Sequence, residues 1–279
     1  MKIKKRTLLY LLPVVFLTLL LSLTYSDSLS DEEEWNRLSN LPKSKPLVFD
    51  LKMIEDQPEP VRRFFQCTIK VGTPLLKVAE IEMGGQFSLG SKEKPNYQEM
   101  IARQLLASPE GFVFQMKLPG LLTVSGSDTG KWTRFRILNI FPVARMGGTS
   151  DHSRAAFGRY VAESIFWTPA AVLPGKNIKW EELDKDTARV TIRNGELSQE
   201  VDVVLDANGC PILVKFQRWS DANPEKQFRF QPFGGRLSDF REVGGFRIPF
   251  RVEAANHFET EEEFVFFKSE LKSIHFLQE

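Results

Sequence analysis

The usual catalytic signatures are missing from this 279-residue chain: it contains no G-x-S-x-G elbow, no G-x-x-x-x-G-K-[ST] loop, no G-x-G-x-x-G, no H-E-x-x-H and no C-x-x-C. Histidine is scarce. His152, His257 and His275 are scattered without ligand spacing, so neither a zinc nor an iron site is expected, and no residue is assigned to a metal, a cofactor or a catalytic role. Excess charge of either sign is also lacking, with 37 basic against 36 acidic residues. Nucleic-acid binding normally needs a clustered basic face, so that class of partner is set aside.

What the chain does contain begins near its first residue. Thr7 to Ser26 (TLLYLLPVVFLTLLLSLTYS) carries no charge, follows Lys2, Lys4, Lys5 and Arg6, and precedes Asp31, Glu32, Glu33 and Glu34. A hydrocarbon core about 30 Å thick is spanned by roughly 20 apolar helical residues, so the stretch can form a transmembrane helix. The flanking cations place residues 1–6 in the cytoplasm and everything after Ser26 outside it, on the periplasmic or extracellular side. An uncleaved single-pass anchor and a cleaved signal are both open. The apolar core is longer than the roughly 7–15 residues usual in a signal, while Thr24-Tyr25-Ser26 offers a weak cleavage site. No cysteine lies near that site, which excludes lipid attachment there. Export would permit Cys67 and Cys210 to form a disulfide; two half-buried thiols in neighbouring strands are the alternative.

Residues 27–56 read as a tether. An acidic run and then Pro42, Lys43, Ser44, Lys45 and Pro46 bury too little apolar area to offset chain entropy. Residues 57–279 read as one β-domain. Gln57 to Phe65 predicts a short helix with proline in its first turn and Val61, Phe64 and Phe65 on one face. From Leu75 the apolar period becomes two, until Gly84-Gly85. Further strands are predicted at Phe112–Leu118, Leu121–Ser127 and Lys131–Val143, while Tyr97–Ala107 fits helix by propensity and strand by position. A helix starts near Ser153, capped by Asp151 or Ser153, and ends before Pro169. Six strands follow: Asp186–Arg193, Glu196–Leu205, Pro211–Trp219, Gln227–Val243, Phe246–Phe258 and Glu263–Phe276. Asn194-Gly195 and Asn208-Gly209 are strong hairpin signals among their connections. A sheet of about nine or ten strands cannot stay flat, because twist accumulates. The expected fold is mainly β (α+β): a curved antiparallel meander, or half-barrel, wrapped around the one central helix at 153–167. Many of the 23 phenylalanines would line its concavity.

On that helix Arg159 and Glu163 face one another at i and i+4, and Trp167 continues the row. If the row points inward, it sets an ion pair and an indole, with Tyr160 beside them, in an apolar pocket that could grip a ligand headgroup. A purely structural ion pair is the competing reading. Ser150-Asp151-His152 has the letters of a nucleophile triad, but consecutive residues cannot aim at one another, so it reads as a capping loop. Asp128 reads as a turn residue, and Trp132, Trp180 and Trp219 as core or rim aromatics.

Phe157 to Leu173 (FGRYVAESIFWTPAAVL) carries an R-Y-x-A-E helix, then a W-x-P-x-A segment, then Trp180. With Pro60-Val61-Arg62-Arg63-Phe64, Gly111-Phe112-Val113-Phe114 and Gly245-Phe246-Arg247-Ile248-Pro249, the chain resembles a family of uncharacterised bacterial proteins from Pro58 to Phe276. Phe114 stands where tryptophan is more usual, and Phe157-Gly158 replaces Glu-Leu. The resemblance implies no settled activity. At the level of fold it is similar to the half-barrels of LolA- and LppX-type lipoprotein carriers. The function expected is a membrane-tethered module binding a lipid or other apolar ligand. The alternatives are an extracytoplasmic hydrolase using Arg159, Glu163 and His152, or an envelope scaffold that takes a partner's strand on an exposed edge.

Overall fold

Helix α1 (Lys5–Ser39) does not stop where the apolar stretch ends but runs on through the acidic residues. The computed structural model describes residues 5–41 and 45–277. From Leu11 to Ser39 the helix is long and apolar enough to cross a membrane, and its apolar side chains from Leu11 to Leu21 are mostly exposed. The tether expected over 27–56 is not what the structure has. Asp27, Asp31 and Glu34 recur at helical spacing, so they share one face, and that face docks on the sheet. Arg145 donates two hydrogen bonds to Asp27, at 2.5 and 3.0 Å. Arg134, at 2.9 Å, and Arg136 complete a cage of three cations around it. Asp31 accepts from Ser127 and from the Trp132 indole, and Glu34 pairs with Arg37 and Lys131. Leu38 is buried against Leu105 and Val113. An acidic composition signals disorder only while the charges stay solvated; Asp27, Asp31 and Glu34 are engaged by the sheet, while Glu32 and Glu33 stay exposed. Of the proline-flanked stretch that follows, residues 42–44 lie outside the described part. Beyond them Phe49 and Ile54 are buried in the main core.

Six strands precede the central helix: β1 (Ala79–Ser88), β2 (Tyr97–Ala107), β3 (Gly111–Leu118), β4 (Val124–Thr129), β5 (Trp132–Ile137) and β6 (Phe141–Gly147). Helix α2 (Glu59–Thr68) lies before them and α3 (Ser150–Trp167) after. Seven more follow: β7 (Ile178–Asp184), β8 (Thr187–Asn194), β9 (Leu197–Leu205), β10 (Pro211–Ser220), β11 (Arg229–Val243), β12 (Phe246–Asn256) and β13 (Phe264–Phe276). They form one 13-stranded sheet in the order β6-β5-β4-β3-β2-β1-β13-β12-β11-β10-β9-β8-β7. Two meanders are thus joined where the last strand pairs the first, from Ala79 opposite Phe276 to Phe87 opposite Phe267, with the register slipping by one residue between Glu82 and Met83. Every pairing is antiparallel, and the twisted sheet curves around α3 as the half-barrel predicts.

Several details differ from the sequence expectations, each for a local reason. Tyr97–Ala107 is a strand because it pairs on both sides, with Met100, Ala102 and Gln104 buried at period two. Lys131–Val143 breaks into two strands at Leu138-Asn139, where positive φ values of 55° and 59° close a hairpin. Strand β7 carries no clear alternating signal, because it is an edge strand with only Trp180 buried among charged residues. The cap of α3 is Thr149, which accepts from the His152 amide at 3.2 Å, rather than Asp151 or Ser153.

Helix α2 packs Phe64 and Phe65 against Trp180, with ring centroids 5.2 and 5.5 Å apart. Cys67 on α2 is bonded to Cys210, just before β10, across 143 residues of sequence; the two do not lie in neighbouring strands. Such a link restrains the unfolded chain strongly. Replacing both cysteines with serine should cost about 2–5 kcal/mol of stability, read from denaturant unfolding, with the fold retained at low denaturant.

Candidate functional site

Alternate residues of the curved sheet and one face of α3 enclose a cavity of about 390 Å³. Phe114, Phe166, Phe216, Phe233, Phe266 and Phe267 supply much of its wall. Arg159, Glu163 and Trp167, three of the four residues singled out on α3, face it. Tyr160 does not line it. One residue further along the helix is a rotation of about 100°, and its ring packs against Phe112 and Phe157 while its hydroxyl donates to the Pro109 carbonyl at 3.2 Å. Burial raises the pKa of that phenol well above its ordinary value.

Arg159 is the hub of the polar part. Its Nη1 donates to Asp128 Oδ2 at 2.7 Å and its Nε to Glu163 Oε1 at 2.8 Å. Its guanidinium lies over the rings of Phe114 and Phe112, at 4.5 and 5.0 Å. Burial alone would lower its pKa, but the two carboxylates outweigh that and hold it above the ordinary arginine value. Gln104 Nε2 donates to the other oxygen of Glu163 at 2.7 Å. Asp128 is therefore more than a turn residue. It sits on β4 and also accepts from Thr133 Oγ1 at 2.5 Å.

Thr133 has one hydroxyl proton, which goes to Asp128, so His152 Nε2 at 3.1 Å must donate to the threonine. His152 Nδ1 is then a buried acceptor without a partner. A nucleophile triad needs a carboxylate at that nitrogen to orient the ring and stabilise imidazolium. None is there, and His152 does not line the cavity. Burial, opposed by the nearby Asp128, keeps the His152 pKa below 6.5. The unfolded chain therefore binds this proton more readily than the folded one. Stability contributed by neutral His152 is full above 6.5 and falls as pH drops through the folded-state pKa. A melting-temperature series from pH 7.5 to 5 should show that fall, and His152→Gln should flatten it.

No motif or helical spacing in the sequence marks Arg218. It projects from β10 on the same parity as Phe216, and a charge on the inward parity of a strand is the signal that would have found it. It lines the cavity and lies over the Phe233 ring at 4.8 Å. Its Nε is buried without a hydrogen-bond partner. Burial, reinforced by the like charge of Arg159, lowers its pKa to about 10. A broader depression of about 710 Å³ lies beyond Phe216 and Phe233. There Arg189 pairs with Asp202 and Lys215 with Glu259, leaving a self-compensated polar surface.

A curved antiparallel sheet closed over one helix, with an apolar cavity and an internally paired charge cluster, defines a half-barrel cavity domain preceded by an apolar helix. Residues 48–269 match a family of unknown function, DUF6544, and the chain belongs to that family. No curated protein matches it in sequence. Among solved structures it is similar to a LolA superfamily protein from Nitrosomonas europaea, with 10% identity and a TM-score of 0.41 over 77% of this chain and 90% of that one. It is also similar to a DUF1329 family protein from Desulfovibrio piger, with 10% identity and a TM-score of 0.40 over 72% and 86% of the two chains.

Proposed function

We propose that this protein is held on the outer side of a membrane by α1 and binds a lipid or similar apolar ligand in the half-barrel cavity. The observation that carries the reading is the cavity itself. At about 390 Å³ it falls within the size range of small-molecule sites, which are mostly apolar with a few placed polar groups. The polar network around Arg159 supports binding rather than turnover, because both carboxylates are engaged by neighbours and His152 is not among the residues lining the cavity. Docking of α1 through Asp27, Asp31 and Glu34 favours a domain kept at the bilayer over one on a long leash.

Native mass spectrometry of the full chain, extracted from membranes without added lipid, should find a co-purifying amphiphile. Uniformly ligand-free protein with its phenylalanines collapsed into the cavity would sink the reading. A substitution separates binding from folding. A Cβ at Gly235 would lie 3.4 Å from the Glu253 carbonyl and 3.9 Å from Val214 Cγ2, ordinary contacts, and Gly235 lines the cavity. Gly235→Leu should therefore occupy ligand space, weakening amphiphile binding by roughly tenfold or more, about 1.4 kcal/mol, with little change in melting temperature.

A further inference from the structure

We propose that the ligand carries an anionic oxygen headgroup and that Arg218 receives it; the inference rests on the cavity reading above. The cavity's hydrogen-bonding balance is one-sided. Among the described residues lining it, the buried side-chain atoms without a partner are Arg218 Nε and Trp167 Nε1, and both are donors. The acceptors there are committed: Asp128 to Arg159 and Thr133, Glu163 to Arg159 and Gln104. Asp128, Glu163 and Asp221 are near enough to favour the charge of Arg218, yet none is its hydrogen-bond or salt-bridge partner. A guanidinium has five donors and no acceptor, and its fork matches a carboxylate or phosphate. A neutral hydrocarbon would leave that fork dry and unpaired, which is costly. An acyl chain ending in an oxyanion satisfies wall and fork together.

The test is a competition. Delipidated full-length protein in detergent is offered equal amounts of palmitate and methyl palmitate, and adducts are counted by native mass spectrometry. Palmitate should exceed its ester at least tenfold. Arg218→Met should bind both equally, and Arg218→Lys should keep part of the preference. Equal occupancy in the unsubstituted protein, or an undiminished preference in Arg218→Met, overturns the headgroup assignment while leaving an apolar cavity intact. Displacement of palmitate by micromolar inorganic phosphate overturns the lipid identity of the anion. If neither palmitate nor its ester binds, the cavity reading fails and this inference with it.

A different observation carries a second inference: we infer that the β5–β6 hairpin tip and the β3–β4 loop rest in the bilayer interface, beside the mouth of the cavity. Leu121 is 95% exposed, and Leu122, Leu138, Phe141 and Val143 are exposed with it. The two loops are tied by the Leu138 amide donating to Thr123 O at 2.8 Å. Thr24 Oγ1, inside the apolar stretch of α1, donates to Asn139 O at 3.4 Å. The loops therefore lie level with the outer end of the candidate membrane span, and a lipid surface is the occupant that covers both. Leu89 and Val143 line the cavity while being about half exposed, which puts its opening at this rim. A ligand could then pass between bilayer and cavity without crossing water.

Full-length protein in nanodiscs, labelled with an environment-sensitive fluorophore at Leu122→Cys or Phe141→Cys, should be strongly quenched by lipids bearing a doxyl group near the headgroup. Glu110→Cys is the comparison. Its carbonyl meets Arg37, 13 residues past Thr24, or roughly 20 Å further along the helix, and its label should stay unquenched. Equal quenching at all three positions, or none at Leu122 and Phe141, overturns the inference.

Discussion

Arg159→Leu should lower the stability of the domain by about 3 kcal/mol, because it leaves Asp128 and Glu163 in an apolar cavity without their cation. The two carboxylates are only 17% and 16% exposed, so water can relieve them only in part. Thr133 and Gln104 would remain as their hydrogen-bond donors, which keeps the cost at the low end of the range for a broken buried pair. The triple variant Arg159→Leu, Asp128→Asn, Glu163→Gln should recover most of the loss, since the charges vanish together. Urea unfolding of the two variants measures the difference. A single variant as stable as the unsubstituted protein would mean that the cluster does not hold α3 to the sheet, leaving ligand binding as the reason for its charges.

The second large effect concerns the joint between the apolar helix α1 and the sheet. Asp27→Leu removes the carboxylate that pairs with Arg134, Arg136 and Arg145. Burial and the repulsion of Arg145 already lower the pKa of both Arg134 and Arg136. Without Asp27 only the more distant Asp31 offsets that crowding, at Arg134, and α1 should swing away from β5 and β6. Opening of residues 27–39 should become easier by about 3 kcal/mol, a roughly hundredfold loss of hydrogen-exchange protection. The main core, to which the described residues of α1 contribute no side chain, should keep its melting behaviour. Exchange mass spectrometry resolves the two regions. Unchanged protection over 27–39 would show that Leu38 and the Asp31 and Glu34 contacts hold the helix unaided.

Those two charge clusters differ in how far apart in the chain their members lie. Arg159 and Glu163 were legible because i,i+4 proximity on a helix is a local property, and Trp167 followed by the same spacing. Tyr160, adjacent in sequence, lies off the cavity, because spacing along a helix does not fix which face turns inward. Asp128 and Arg218 reach the cavity from strands 90 residues apart in the chain, and no spacing rule joins them. Nothing local announces the docking of Asp27, because its three arginines sit on a hairpin more than 100 residues later. The structure also places a disulfide between α2 and the approach to β10, a proximity that neither cysteine's surroundings announced.

By itself the sequence determined the apolar helix, the central helix ended by Pro169, most strand boundaries and the curved antiparallel class of the sheet. Each follows from periodicity, turn chemistry or length, which act over a few neighbouring residues. Only the tertiary structure decided that the acidic segment is a docked strut and that the cavity stays open. It also decided which donors are left without partners. The physical reason is that desolvation and hydrogen-bond satisfaction depend on what lies across a contact, and here the contacting groups come from distant parts of the chain.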